Sequence, residues 1–160
     1  MANFVYNHVA GKGLDGTLIL GTAILKVMLV DNSYTPDRDD VFISSGAGTV
    51  GDAEISVTNY TGGFGGAGRK TITGQSVSVD NVNDRAELDV NDIMWTALGG
   101  AVNDTIQALI VVEEKTSDAD SLLVAYIDTS TGSPSLPFLT SGGDFTAVVN
   151  ANGIIQMSTV

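Results

Sequence analysis

The sequence predicts an all-β fold, an antiparallel β-sandwich or jelly-roll-like barrel of about 8–10 strands. Short apolar runs rich in β-formers recur at a spacing of roughly 10–15 residues, several of them alternating apolar with polar positions. Nineteen glycines stand against three prolines, the composition of a chain that reverses direction often through tight turns. No stretch carries the period of a long amphipathic helix, so no βαβ unit can be built.

Residues 1–13 read as an N-terminal arm: Ala2 to Gly13 holds His8 and two glycines ahead of the first clear strand. Thr17-Leu18-Ile19-Leu20 and Ala23 to Val30 read as strands separated by Gly21, the second buried over most of its length. Tyr34 to Asp40 is polar, carries Pro36 and forms a surface loop. A short helical turn is allowed through Asp39 to Ser44, because Pro36 and the acidic cluster suit a helix start.

From Glu54 the alternation sharpens. Ile55 and Val57 share one face, with Glu54, Ser56 and Thr58 on the other. Ile72, Val77 and Val79 continue the pattern across Thr71 to Asp80, interrupted at Gly74 by a bulge or bend. Asn81 to Asp84 is a turn and Arg85 to Val90 alternates again, which predicts a hairpin. Asp92 to Leu98 carries Trp95 and ends at Gly99-Gly100.

Thr105 to Val112 and Leu122 to Asp128 flank the polar stretch Glu113 to Ser121 and predict a second hairpin. Phe145 to Val149 and Ile154 to Met157 flank Asn150 to Gly153, whose Asn-Gly pair supplies the positive φ of a tight hairpin. Val-Asn-Asp recurs at Val82, Val90 and Val102 with unequal spacing, which is turn chemistry and not a structural repeat. The chain, 1–160, reads as a single β domain.

Composition narrows the function classes. The net charge is −12, from 19 acidic and 7 basic residues, too few cations to neutralise a nucleic-acid backbone. An anionic membrane is disfavoured for the same reason, and apolar runs such as Ala108 to Val112 are far below the ~20 residues of a membrane span. With no cysteine, disulfides, thiolate metal sites and cysteine nucleophiles are absent. Met1 to His8 lacks a basic stretch leading into an apolar one, so no signal peptide is expected.

Several constellations are candidate sites. Gly63-Phe64-Gly65-Gly66-Ala67-Gly68 matches the dinucleotide-binding glycine pattern, but Arg69 to Gly74 continues as a strand where that motif opens a helix. A flexible or tightly folded glycine loop, placed against a neighbouring subunit, is the better expectation. Asp37-Arg38-Asp39-Asp40 and the carboxylates from Asp80 to Asp92 lack the ligand offsets of a calcium loop and read as a solvated acidic face. His8, the only histidine, has no nucleophile motif around it.

Ser44-Ser45-Gly46 and Ser141-Gly142-Gly143 have loop compositions. Glu113 and Glu114 are adjacent on a strand and point opposite ways, wrong for a paired acid and base. Trp95 is expected in the core, its N–H on a backbone carbonyl, with an interface anchor as the alternative. No catalytic residue, cofactor or metal is expected.

Asn3-Phe4-Val5-Tyr6-Asn7, Lys26 to Val30, Ser33 to Asp37, Arg69-Lys70-Thr71, Asn83 to Glu87, Trp95 to Leu98, Ala125 to Asp128 and Gly142 to Thr146 occur in that order. Together they resemble a family of small tailed-bacteriophage virion proteins, the capsid decoration or cement proteins. The resemblance runs through nearly the whole chain. It implies an all-β protein shown in many copies on the capsid exterior, bridging neighbouring subunits of the major capsid protein. The glycine-rich Thr61 to Gly68 lengthens the link between tyrosine and Arg-Lys beyond the family pattern.

The resulting expectation is a non-enzymatic virion protein, made in the host cytoplasm and assembled as a homo-oligomer. A trimer matches the local symmetry of capsid lattices. Tail, neck or fibre placement is the nearest alternative. A carbohydrate-binding β-sandwich used in host adhesion is the alternative from another class.

Overall fold

The computed structural model describes residues 3–44, 49–129 and 135–158. Its elements run β1 (Phe4–Val5), α1 (Asn7–Leu14), β2 (Leu25–Val30), β3 (Lys70–Thr71), β4 (Ser76–Asp80), β5 (Arg85–Asp89) and β6 (Ile93–Leu98). They continue with β7 (Thr105–Ile106), β8 (Ala108–Glu113), β9 (Leu122–Ile127), β10 (Phe138–Leu139), β11 (Gly143–Ala147) and β12 (Ile155–Ser158). The all-β expectation holds: the described residues form several antiparallel sheets in a sandwich-like arrangement with one short helix.

The central sheet has five strands in the order β1-β9-β8-β2-β3. Every residue of β8 is buried, as are the first five of β9. That is why Ala108 to Val112 and Leu122 to Tyr126 read as continuous apolar runs: both faces of the strands are covered. A second sheet has the order β12-β5-β4, and two ribbons pair β11 with β6 and β10 with β7. Trp95, Phe145 and Phe138 link the ribbons, with ring centroids 5.6 Å apart for Trp95–Phe145 and 5.1 Å for Phe138–Phe145.

Both locally encoded hairpins form. β4 pairs β5 around the Asn81 to Asp84 turn, and β8 pairs β9 across the Glu113 to Ser121 connection. The turn is closed by the Asp80 carboxylate, which accepts the backbone N–H groups of Val82 and Asn83.

Four expectations are corrected. The segment 1–13 is not an arm over its described residues. Phe4 and Val5 pair with Tyr126 and Ala125, and Tyr6 and Val9 are each 1% exposed. Ala2 lies outside the described residues. The helix is Asn7–Leu14 and not Asp39 to Ser44, which holds turns and an isolated bridge from Phe42 to Leu122.

Thr17 to Leu20 is not a strand, because the chain turns there, with the N–H groups of Thr17 and Leu18 on the Lys12 carbonyl. Lastly, Phe145 to Val149 and Ile154 to Met157 are not each other's partners. The Asn150 turn does form, with Gly153 at φ 79°, but β11 joins β6 and β12 joins β5.

Candidate functional site

The sequence feature closest to a known chemical motif is the glycine loop, and the structure shows what its backbone holds. The N–H of Gly63 donates to Glu54 Oε2 at 2.7 Å. A loop of this kind offers amide hydrogens to an anion, and here the anion is a carboxylate of the same chain.

Glu54 directly follows the turn at 50–53 and bridges back to Val30 at the end of β2. Its Oε1 accepts from Tyr60 Oη at 2.8 Å and Arg69 Nε at 2.9 Å, and its Oε2 accepts from Arg69 Nη2 at 2.7 Å. Arg69, the first residue after the loop, also grips Asp118, through Nη1 at 2.5 Å and Nη2 at 3.0 Å. The guanidinium thus forks to two carboxylates at once, a geometry lysine cannot reproduce. The Arg69 side chain is 0% exposed and that of Glu54 3%, whereas Asp118 reaches solvent at 20%.

Burial alone would lower the Arg69 pKa, but its hydrogen bonds and charge pairing with Glu54 and Asp118 outweigh that and raise it. Burial, reinforced by the Glu54 charge, holds the Tyr60 hydroxyl well above its ordinary pKa. Tyr60 is therefore a neutral donor to Glu54, and its oxygen in turn accepts the backbone N–H of Leu29 at 3.0 Å. The cluster ties the loop to β2 in the central sheet.

Two glycines are demanded by this packing. A Cβ on Gly66 would strike the carbonyl oxygens of Thr61 and Gly62, and one on Gly68 would overlap the Tyr60 ring. Of the flexible and the tightly folded loop that the sequence allows, the tightly folded one forms, with Gly68 N–H donating to the Thr61 carbonyl at 2.9 Å. Beneath it, Trp95 is 1% exposed and donates its indole N–H to the Gly68 carbonyl at 2.7 Å. The core reading of Trp95 is correct in both parts.

The remaining candidates are dispersed. His8 lies on α1, partly buried, its ring 6.3 Å from Tyr6. Burial, then the Lys12 charge, lowers its pKa, and neither ring nitrogen has a hydrogen bond of normal geometry. Asp39 accepts from Asn7 at 2.7 Å and Asp40 from the Tyr34 hydroxyl at 2.7 Å, while Arg38 lies 4.6 Å over the Phe4 ring. Asp39 thus fastens α1, and Arg38 fastens β1, to the loop that follows β2.

Glu113 pairs Lys115 and Glu114 pairs Lys26, each at 2.5 Å, so the two carboxylates do diverge. Ser141 and Gly142 lead into β11, which begins at Gly143. Ser45 and Gly46 lie outside the described residues. Among the described residues, no group of three or more His, Asp or Glu is placed to hold a metal ion, and no helix is long and apolar enough to cross a membrane.

Sequence reasoning missed the ion cluster itself. Arg69 is 15 positions from Glu54 and 49 from Asp118, beyond any local pattern. The signal present was the adjacent basic pair Arg69-Lys70 at the mouth of a strand, in a chain with only seven Lys and Arg. No protein-family model, curated protein or solved structure matches this chain.

Proposed function

We propose that this chain is a structural virion protein of a tailed bacteriophage, a decoration protein bound to the outside of the major capsid protein lattice. The observation that carries the reading is the use of the glycine loop. Its amide, the Arg69 guanidinium and the Glu54 carboxylate satisfy one another, so the best motif in the sequence serves rigidity. Chain-long resemblance to the decoration proteins supplies the biological setting. A net charge of −12 suits copies that repel one another until they dock on a specific partner.

In this reading the protein catalyses nothing, needs no cofactor and binds neither nucleic acid nor membrane. It is made in the host cytoplasm, and its work is burial of surface against capsid subunits. The adhesion alternative gains no support from the surface. Of five Phe, four Tyr and one Trp, only Phe64 is exposed, and sugar-binding faces stack rings on the ligand.

Electron cryo-microscopy of the particle encoding the chain tests the proposal. The expected result is density for this fold on the capsid exterior, with an abundance approaching the major capsid protein on a stained gel. Density on the tail or neck alone, with a minor gel band, overturns it in favour of the tail alternative.

A further inference from the structure

The sheet β12-β5-β4 is amphipathic in register. Val77 lies opposite Leu88, which lies opposite Ile155; Val79 lies opposite Ala86, which lies opposite Met157. The other face carries Ser76, Ser78, Asp80, Arg85, Glu87 and Gln156. Leu88 and Ile155 are covered by the rest of the chain, at 3% and 2% exposure, whereas Val77 and Val79 on the edge strand are 58% and 69% exposed.

The backbone of β4 is open as well. The Leu88 carbonyl accepts from Ile154 at 2.9 Å and so faces β12. Antiparallel strands present alternate residues to alternate sides, so Glu87 faces β4 and bonds Ser78, and the N–H and C=O groups of Val77 and Val79 point away from β5. Natural edge strands are guarded by Lys, Pro or a bulge; β4, Ser76–Asp80, has none of these. The opposite edge, β12, differs, since it borders a cleft whose walls include Phe4, Val5 and Ile127 of the same chain.

We infer that β4 pairs antiparallel with β4 of a second copy of this chain, across a two-fold axis at Ser78. That register alone matches all the open groups: Val77 exchanges its bonds with Val79 of the second copy, and Val79 with Val77. The valines then meet side by side on the apolar face. The charge pattern fits two acidic chains: Ser76 falls opposite Asp80 of the second copy, and each Asp80 is already paired with Arg85 at 3.3 Å. No like charges meet in the seam. An isologous contact also closes on itself, whereas β4 on a different edge closes only if the rotation completes a ring. The expectation from sequence is a trimer; this contact is two-fold. It stands or falls independently of the virion proposal.

A cysteine scan on the full chain tests the register, because the protein has no cysteine of its own. At a central, non-hydrogen-bonded pair the Cα atoms lie about 4.5 Å apart, within the range a disulfide spans. Ser78→Cys should therefore form a covalent dimer on mild oxidation, and Ser76→Cys should not. Sedimentation of the wild-type chain should give twice 16.5 kDa. Val79→Lys, on a residue that makes no ladder bond to β5, should raise the dimer dissociation constant roughly 100-fold or more with the circular dichroism unchanged.

A monomeric or trimeric wild type overturns the inference, as does equal cross-linking at both serines. A wild-type monomer whose binding to the particle is lost in Val79→Lys also overturns it, by showing that the edge receives a capsid strand instead.

Discussion

The Trp95 indole N–H meets the Gly68 carbonyl at 2.7 Å, 27 positions back along the chain. Through this bond the glycine loop is fixed from below by the core and from the side by Arg69. Replacing Trp95 with Phe keeps most of the apolar volume but strands a buried carbonyl. It should cost about 1–3 kcal/mol in urea unfolding followed by circular dichroism, against about 3–5 kcal/mol for Trp95→Ala. A Trp95→Phe variant as stable as the wild type would show that the hydrogen bond contributes nothing.

Removing the guanidinium should be the most damaging polar change. Arg69→Met leaves Glu54 buried without its counter-charge, at a cost of about 3–5 kcal/mol. Arg69→Lys keeps the charge but cannot fork to both carboxylates, so its loss should be smaller. Should Arg69→Met prove as stable as the wild type, the cluster is not a stabilising tie.

Two glycines should respond in opposite senses to alanine. Gly68→Ala drives a methyl into the Tyr60 ring and should destabilise by about 1–3 kcal/mol. Gly11, inside α1, has nothing within 4 Å of the point where an added methyl would sit. Its replacement should stabilise by about 0.5–1 kcal/mol, because glycine is a poor helix former. Melting temperatures of the two variants report both signs.

All four tyrosines, Tyr6, Tyr34, Tyr60 and Tyr126, are held above their ordinary value of 10.0, burial being the largest cause in each. Unfolded tyrosines ionise near that value while the folded ones stay neutral. Stability should therefore be complete below about pH 10 and fall as the pH rises beyond it. Tyrosinate absorbance should appear only together with loss of structure; an intact fold that titrates normally would contradict this.

Deleting residues 3–9 should unfold the protein, not merely detach an appendage. The deletion removes buried Phe4, Tyr6 and Val9 and the hydrogen bond between the Tyr6 and Tyr34 hydroxyls at 3.0 Å. A folded truncation, seen as retained dispersion in an NMR spectrum, would restore the arm expected from sequence.

What the sequence disclosed and what it hid divide by distance along the chain. The Asp80 turn and the runs of β8 and β9 depend on neighbours within a few residues, and both hairpins were legible. The alternation at Ile55 and Val57 correctly marked buried positions, yet no ladder forms there, because burial does not require a strand. α1 was invisible: Gly11 and Gly13 disfavour helix, and no side-chain cap starts it. It forms because Tyr6 and Val9 anchor it to the core. The final hairpin misleads because its turn is genuine while its strands find better partners in β6 and β5. The ion cluster needed three separate loops brought together, which no spacing could announce.

The pairing of Phe4 with Tyr126 also sets an order of events in time. β1 leaves the ribosome more than a hundred residues ahead of the strand that accepts it. Until that strand emerges, Phe4 and Tyr6 lack the cover of β9, although Arg38 and Tyr34 can already reach them. Contacts so far apart in sequence slow folding, so the central sheet is completed late, and the hairpin of β4 and β5 is available early as a seed.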